Sequence, residues 1–118
     1  MERVLGFGGF FFKSADPDKL ARWYEEHLGV TRATADNGME PWHQEAGATV
    51  FQPFPQNTTM FPHTSYMLNF RVSNLDAMVA QLRSAGIKVE VDPEDYGFGR
   101  FASLSDPEDN PIQLWQPL

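Results

Sequence analysis

Residues Gly8–Gly29, GGFFFKSADPDKLARWYEEHLG, decide the fold, because Tyr66–Gly86, YMLNFRVSNLDAMVAQLRSAG, repeats their grammar. In the first stretch an apolar strand, Gly8 to Lys13, runs into Ser14-Ala15-Asp16-Pro17. Asp16 suits the cap that satisfies free helix N–H groups, and Pro17 suits the first helical position, where no N–H is needed. Leu20, Trp23, Tyr24 and Leu28 then fall on one helical face. Gly29 is a natural stop, since glycine adopts positive φ at little cost. In the second stretch Tyr66–Val72 reads as a strand and Ser73-Asn74 as the cap. Leu75, Met78, Val79 and Leu82 form the helix stripe, and Gly86 is the stop.

Outward from these two units, each helix is followed by several strand-like runs. After the first come Thr31–Ala35, Glu40–Glu45 and Thr49–Phe54; after the second come Ile87–Val91, Arg100–Leu104 and Pro111–Trp115. The pattern predicts an α+β protein of two β-α-β-β-β modules, residues 1–57 and 64–118, within one domain spanning 1–118. Pro53, Pro55 and Pro62, with Gln56-Asn57-Thr58-Thr59 between them, form the join. A rival parse is a single β-α-β-β-α-β unit of the kind found in RNA-recognition domains. The extra strand pairs and the acidic charge count against it.

The chain has 118 residues and 42% apolar content, enough for a core without a metal or disulfide staple. Cysteine is absent, which removes disulfides, thiolate metal sites and cysteine nucleophiles. Nine Lys plus Arg against 16 Asp plus Glu give −7, which opposes nucleic-acid binding and suits a cationic guest. The longest apolar run, Val4–Phe12, is far short of the about 20 residues that cross a bilayer, and its flanks are unlike a secretory signal. No membrane association is expected, and a cytoplasmic location is. Aromatics stand out at 14%, ten of them Phe.

Phe10-Phe11-Phe12, Asp16-Pro17, Trp23-Tyr24 and Leu28-Gly29 in the first half are matched by Asn69-Phe70-Arg71-Val72 and Asn74-Leu75-Asp76 in the second. The chain closes on Gly99-Arg100-Phe101, Asp106-Pro107-Glu108-Asp109-Asn110-Pro111 and Ile112-Gln113-Leu114-Trp115. In order and spacing these resemble the vicinal-oxygen-chelate superfamily of glyoxalases, extradiol dioxygenases and bleomycin-resistance proteins, over essentially the whole chain. Asp109 stands where the family's closing turn usually has Gly, a position Asp tolerates. The resemblance implies a curved mixed sheet forming a cup, helices outside, and a homodimer.

Strand alternation assigns the faces. Leu68, Phe70, Val72, Ile112 and Leu114 go under the helices, leaving Met67, Asn69, Arg71, Gln113 and Trp115 for the cup. In the first strand Phe10 and Phe12 face the helix, and Gly9, Phe11 and Lys13 face the cup. The family's metal-ligand positions then fall on Gly9, Met67 and Gln113, with Phe51 or Gln52 in the last strand of the first half. Glycine offers no ligand, a thioether is too soft for hard divalent ions, and glutamine is only a neutral oxygen donor. No metal and no cofactor are expected.

The remaining motifs are weak. His27 sits in the last helical turn, where a cation suits the dipole. His43 and Glu45 share a strand face and read as a solvated charged face, with half of a metal site as the alternative; His63 lies in the join. Gly6-Phe7-Gly8-Gly9 enters a strand rather than opening a helix, unlike a dinucleotide loop. Arg71 and Arg100 read as exposed ion pairs, with an anion-binding role as the alternative. The candidate ligand-binding set is Phe11, Trp42, Met67, Asn69, Phe101, Ser103, Gln113 and Trp115: apolar walls with amides and a hydroxyl. No general base stands out, so catalysis is left open.

Three readings follow. The first is a metal-free protein binding a small molecule, cationic or aromatic, in the sheet cup. The second is a divalent-metal lyase, isomerase or dioxygenase with non-standard ligands, such as Gln113 with His43 or His63. The third is an interaction module whose cup is filled by its own aromatics.

Overall fold

A computed structural model describes residues 1–118. Helix α1, Pro17–Leu28, begins as its sequence dictates: Asp16 Oδ1 accepts from the Lys19 amide at 3.3 Å, and Pro17 opens the helix. It ends on Gly29 at φ 71°. The second half follows as β1 (Leu68–Arg71), α2 (Leu75–Ser84), β2 (Glu90–Val91), β3 (Gly99–Ser105) and β4 (Pro111–Pro117). Asn74 caps α2 by accepting from the Ala77 amide at 3.0 Å. The sheet order is β1-β4-β3-β2, with β1 parallel to β4 and the other pairs antiparallel. From Leu68 to Pro117 the elements follow one another as β-α-β-β-β. No helix is long and apolar enough to cross a membrane.

Both helices cover one face of the sheet. Leu20 and Tyr24 of α1 and Leu75, Val79 and Leu82 of α2 join Val89, Ala102, Leu104, Ile112 and Leu114 in one buried cluster. Leu75 and Leu114 have no exposed surface at all, so their burial carries the full apolar transfer gain, about 1.5–3 kcal/mol each. Phe12, Leu68, Phe70 and Val72 pack at its margin. The cluster's strand residues alternate with period two, which leaves the opposite face of the sheet for function.

The first half departs from its expected strands. Residues 8–13, 31–35, 40–45 and 49–54 form no ladder, and the only regular elements before β1 are α1 and a short turn of 3₁₀ helix at Ala35–Asn37. Part of the reason is local. Asn37 Oδ1 accepts from the amides of Thr34 (2.9 Å) and Glu40 (3.2 Å), and Asn37 Nδ2 donates to the Arg32 carbonyl at 2.8 Å. Side-chain bonds of this kind draw backbone groups away from a ladder. Further along, Pro53 and Pro55 lack the N–H a ladder needs.

One buried polar network docks the halves together. Asp106 is 3% exposed, and its carboxylate accepts four hydrogen bonds. These come from the Tyr24 hydroxyl (2.6 Å), Asn110 Nδ2 (2.7 Å), and the amides of Glu108 (2.8 Å) and Asn110 (3.0 Å). Tyr66 in turn donates to Asn110 Oδ1. Asp109 takes φ 62° in this turn, the left-handed conformation that Asp tolerates. Burial first, and then the Asp106 carboxylate, push the Tyr24 phenol far above its ordinary range, so it remains a donor.

Candidate functional site

On the open face the register sets two rows of side chains. Asn69 lies beside Gln113, which lies beside Ser103; Arg71 lies beside Trp115, which lies beside Phe101. These are the faces that strand alternation assigned. Asn69 Nδ2 donates to Gln113 Oε1 at 2.7 Å, so the two amides form a unit. The Phe101 and Trp115 rings are stacked within 6° of parallel, centroids 6.3 Å apart. Tyr96 and Phe98, stacked on each other, meet Phe101 edge-on and bring the cluster to four rings.

Gly99 makes this packing possible. Its φ is 138°, and a Cβ there would collide with the Gln116 carbonyl and the Trp115 indole. Without one, the indole settles against the strand, and Trp115 Nε1 donates to the Phe98 carbonyl at 3.1 Å. Trp115 is consequently only 9% exposed although it lies on the open face. The Asp92 carboxylate holds Tyr96 by accepting its hydroxyl at 2.9 Å, which raises the Tyr96 phenol above its usual range.

The face borders a cleft of about 2100 Å³ between the sheet and the first half. That exceeds the roughly 300–1,000 Å³ of a drug-sized site, as an open cleft does. Met67, Asn69, Phe101, Gln113, Trp115 and Trp42 line it. Trp42, however, packs edge-on against Phe70 at 6.4 Å, on the side of β1 opposite Asn69. Phe11 and Ser103 do not line the cleft, and Phe11 is 94% exposed. The first strand's faces explain this: Phe10 and Phe12 turn to Tyr66 and Tyr24, which sends Phe11 outward. Tyr96, Phe98 and Asp92 are lining residues that sequence reasoning missed. Their only signal was a cluster of aromatics in a turn.

Charges in the lining balance. Arg32 and Arg71 face Glu45 and Asp92, so the chain's −7 is carried elsewhere. Arg71 Nη2 donates to the Glu45 carbonyl at 2.8 Å, and its guanidinium occupies the space that a Cβ on Gly47 would need. Arg100 lies outside the cleft, in a two-pronged pair with Asp76 at 3.0 and 3.3 Å. That pair holds the Asp76 carboxyl below the usual range. His43 pairs with Glu40 at 2.5 Å. His27 lies tilted against Trp23, with centroids 5.4 Å apart.

The positions implied for metal ligands hold Gly9, Met67, Gln113 and either Phe51 or Gln52, and Gln113 Oε1 already accepts from Asn69. No three His, Cys, Asp or Glu side chains converge anywhere. This donor set does not fit a hard divalent ion, which takes oxygen and imidazole ligands.

The model of the glyoxalase-like domain family matches residues 9–115. The chain belongs to this family. A glyoxalase/bleomycin resistance protein from Streptomyces sp. CB03234 is 39% identical over 42% of this chain and 42% of its own, with a TM-score of 0.38. TnmS3, an antibiotic binding protein from the same Streptomyces, is 24% identical over 88% of each chain, TM-score 0.54. A glyoxylase/bleomycin resistance protein/dioxygenase domain from Frankia sp. EAN1pec is 19% identical over 98% of this chain and 100% of its own, TM-score 0.58. The last two share the fold. No curated protein matches the chain. Within the glyoxalase-like family, this member has an α+β fold with two helices on one face of a four-stranded mixed sheet.

Proposed function

We propose that this glyoxalase-like protein binds a small aromatic molecule on the open face of its sheet, without the family's metal chemistry. The carrying observation is the side-by-side arrangement of the Asn69–Gln113 amide pair and the stacked Phe101–Trp115 rings at the cleft. A flat apolar wall beside a few fixed polar groups is the usual composition of a small-molecule site. The fold relative TnmS3 is an antibiotic binding protein, which agrees with this reading. An aromatic guest suits the lining better than a merely cationic one, because the lining charges balance. We further propose a cytoplasmic homodimer. The support for pairing is the apolar surface of the first half: Leu5, Phe7, Phe10, Phe11, Val50 and Phe51 are all exposed.

A thermal-shift panel of fused-ring aromatics tests the binding reading. A ligand at a hundred times its Kd adds about 2.7 kcal/mol to stability, so the melting temperature should rise. Gln113→Ala should reduce that rise while leaving the unliganded melting temperature nearly unchanged, since Gln113 is only half-buried. A panel without any shift, or a shift indifferent to Gln113→Ala, overturns the site. Stoichiometric metal in protein purified without chelators overturns the metal-free part and favours a lyase, isomerase or dioxygenase.

A further inference from the structure

We propose that Arg71 makes the open face selective for aromatic monocarboxylates; this rests on the small-molecule reading above and names its ligand class. Each charged side chain of the cleft has an identifiable occupation except two. Arg32 pairs with Asp18 at 3.3 Å and with Glu25 at 3.4 Å. Asp92 accepts from the Tyr96 hydroxyl and, at 3.1 Å, from the Glu94 amide. Glu45 is exposed and contributes only its backbone carbonyl to the site. Arg71 forms no ion pair, and its single hydrogen bond is the one to that carbonyl.

The position of Arg71 turns this spare charge into a subsite. It is next to Trp115 across the β1–β4 pair and two residues along β1 from Asn69, so its guanidinium, the indole and the amide pair share one face. The backbone at Gly47 and the Glu45 carbonyl hold the guanidinium in place, so little side-chain freedom is lost on binding. Arginine presents a rigid fork of donors that matches a carboxylate. Gln113 spends its Oε1 on Asn69 and keeps its Nε2 donors unused, a second donor on the same face. A ring laid beside the Phe101–Trp115 pair would bring a carboxylate to these donors. The charge expected of the ligand is a single one. One guanidinium neutralises a monoanion, whereas a phosphate dianion would meet the field of a −7 chain with a surplus of negative charge.

The experiment compares three probes of one shape by calorimetry: 2-naphthoate, 2-naphthamide and 2-naphthylmethylammonium. A charge-assisted hydrogen bond contributes enough that naphthoate should bind about tenfold more tightly than naphthamide. Arg71→Gln should abolish that preference by weakening naphthoate far more than naphthamide, and Arg71→Lys should retain part of it. Naphthamide binding that persists in the variant also reports that it is folded, and the wild-type series stands on its own if it is not. Equal binding of acid and amide, a preference that survives Arg71→Gln, or tightest binding of the ammonium overturns the proposal. In those cases naphthamide binding still supports a site on this face. If none of the probes binds, both the selectivity and the site fall.

Discussion

Glu108 lies in the closing turn, 93 residues beyond Ala15, yet it caps the entrance to α1. Its carboxylate accepts from the Ser14 hydroxyl at 2.7 Å, the Ala15 amide at 2.9 Å and the Asp16 amide at 3.4 Å. The helix dipole favours negative charge there. The Ala15 amide above all, then the Ser14 hydroxyl, hold the carboxyl below its ordinary range. A carboxyl whose folded value is lowered contributes stability above its ordinary value and loses it as pH falls through the lowered one. Glu108→Gln should therefore melt earlier than wild type at neutral pH, and the gap should close under acid. Melting curves across pH check this; a gap that stays constant into acid means the charge is irrelevant. The same dependence is invisible in sequence, because nothing in Asp106–Pro111 announces that its partner is residue 15.

At the scale of elements, the α1 helix is attached to the sheet by Tyr24, whose hydroxyl reaches Asp106 across 82 residues. Tyr24→Phe keeps the ring in the core and leaves a buried carboxylate one donor short. The expected cost is about 1.5–3 kcal/mol, read as a lower denaturation midpoint at unchanged slope. A change below half a kilocalorie per mole means water replaces the phenol. The elements themselves were legible to different degrees. Leu68, Phe70, Ile112 and Leu114 alternate with polar partners, and burying one face of such a run fixes its register, so the open face was readable. Asp16 and Asn74 marked both helix starts, because caps are local chemistry. The runs at residues 8–13 and 49–54 have strand composition, but a ladder is made by two partners and composition reports only one. Phe11 is thus left outside the cleft, while Trp42 lines it from a segment that joins no ladder.

The molecule as a whole is looser than its length requires. Its radius of gyration is 15.3 Å, against roughly 13–14 Å for a compact chain of this size. Only 14 of 118 residues are buried, and all but Leu20 and Tyr24 lie in the second half. The outer edge of β1 has no ladder partner, and the apolar side chains of the first half face outward beside an open cleft. Apolar area of this kind is what association removes from water. Sedimentation equilibrium should therefore give twice the chain mass of 13.4 kDa, and a single-chain mass at every concentration removes the dimer. Ligand binding and pairing would then be linked, since the cleft is bounded by the same first-half segments.

The turn at Asp106–Asn110 has a further consequence, in the order of synthesis. During translation α1 emerges without its cap or its anchor, because Glu108 is made 93 residues after Ala15 and Asp106 82 residues after Tyr24. A helix of 12 residues is marginal on its own in water, so until the closing turn arrives the first half has little to hold it. Docking of the first half is thereby postponed until the closing turn has been made. A nascent chain interrupted before Asp106 carries an unanchored, aromatic-rich leading segment, the kind that chaperones and proteases recognise.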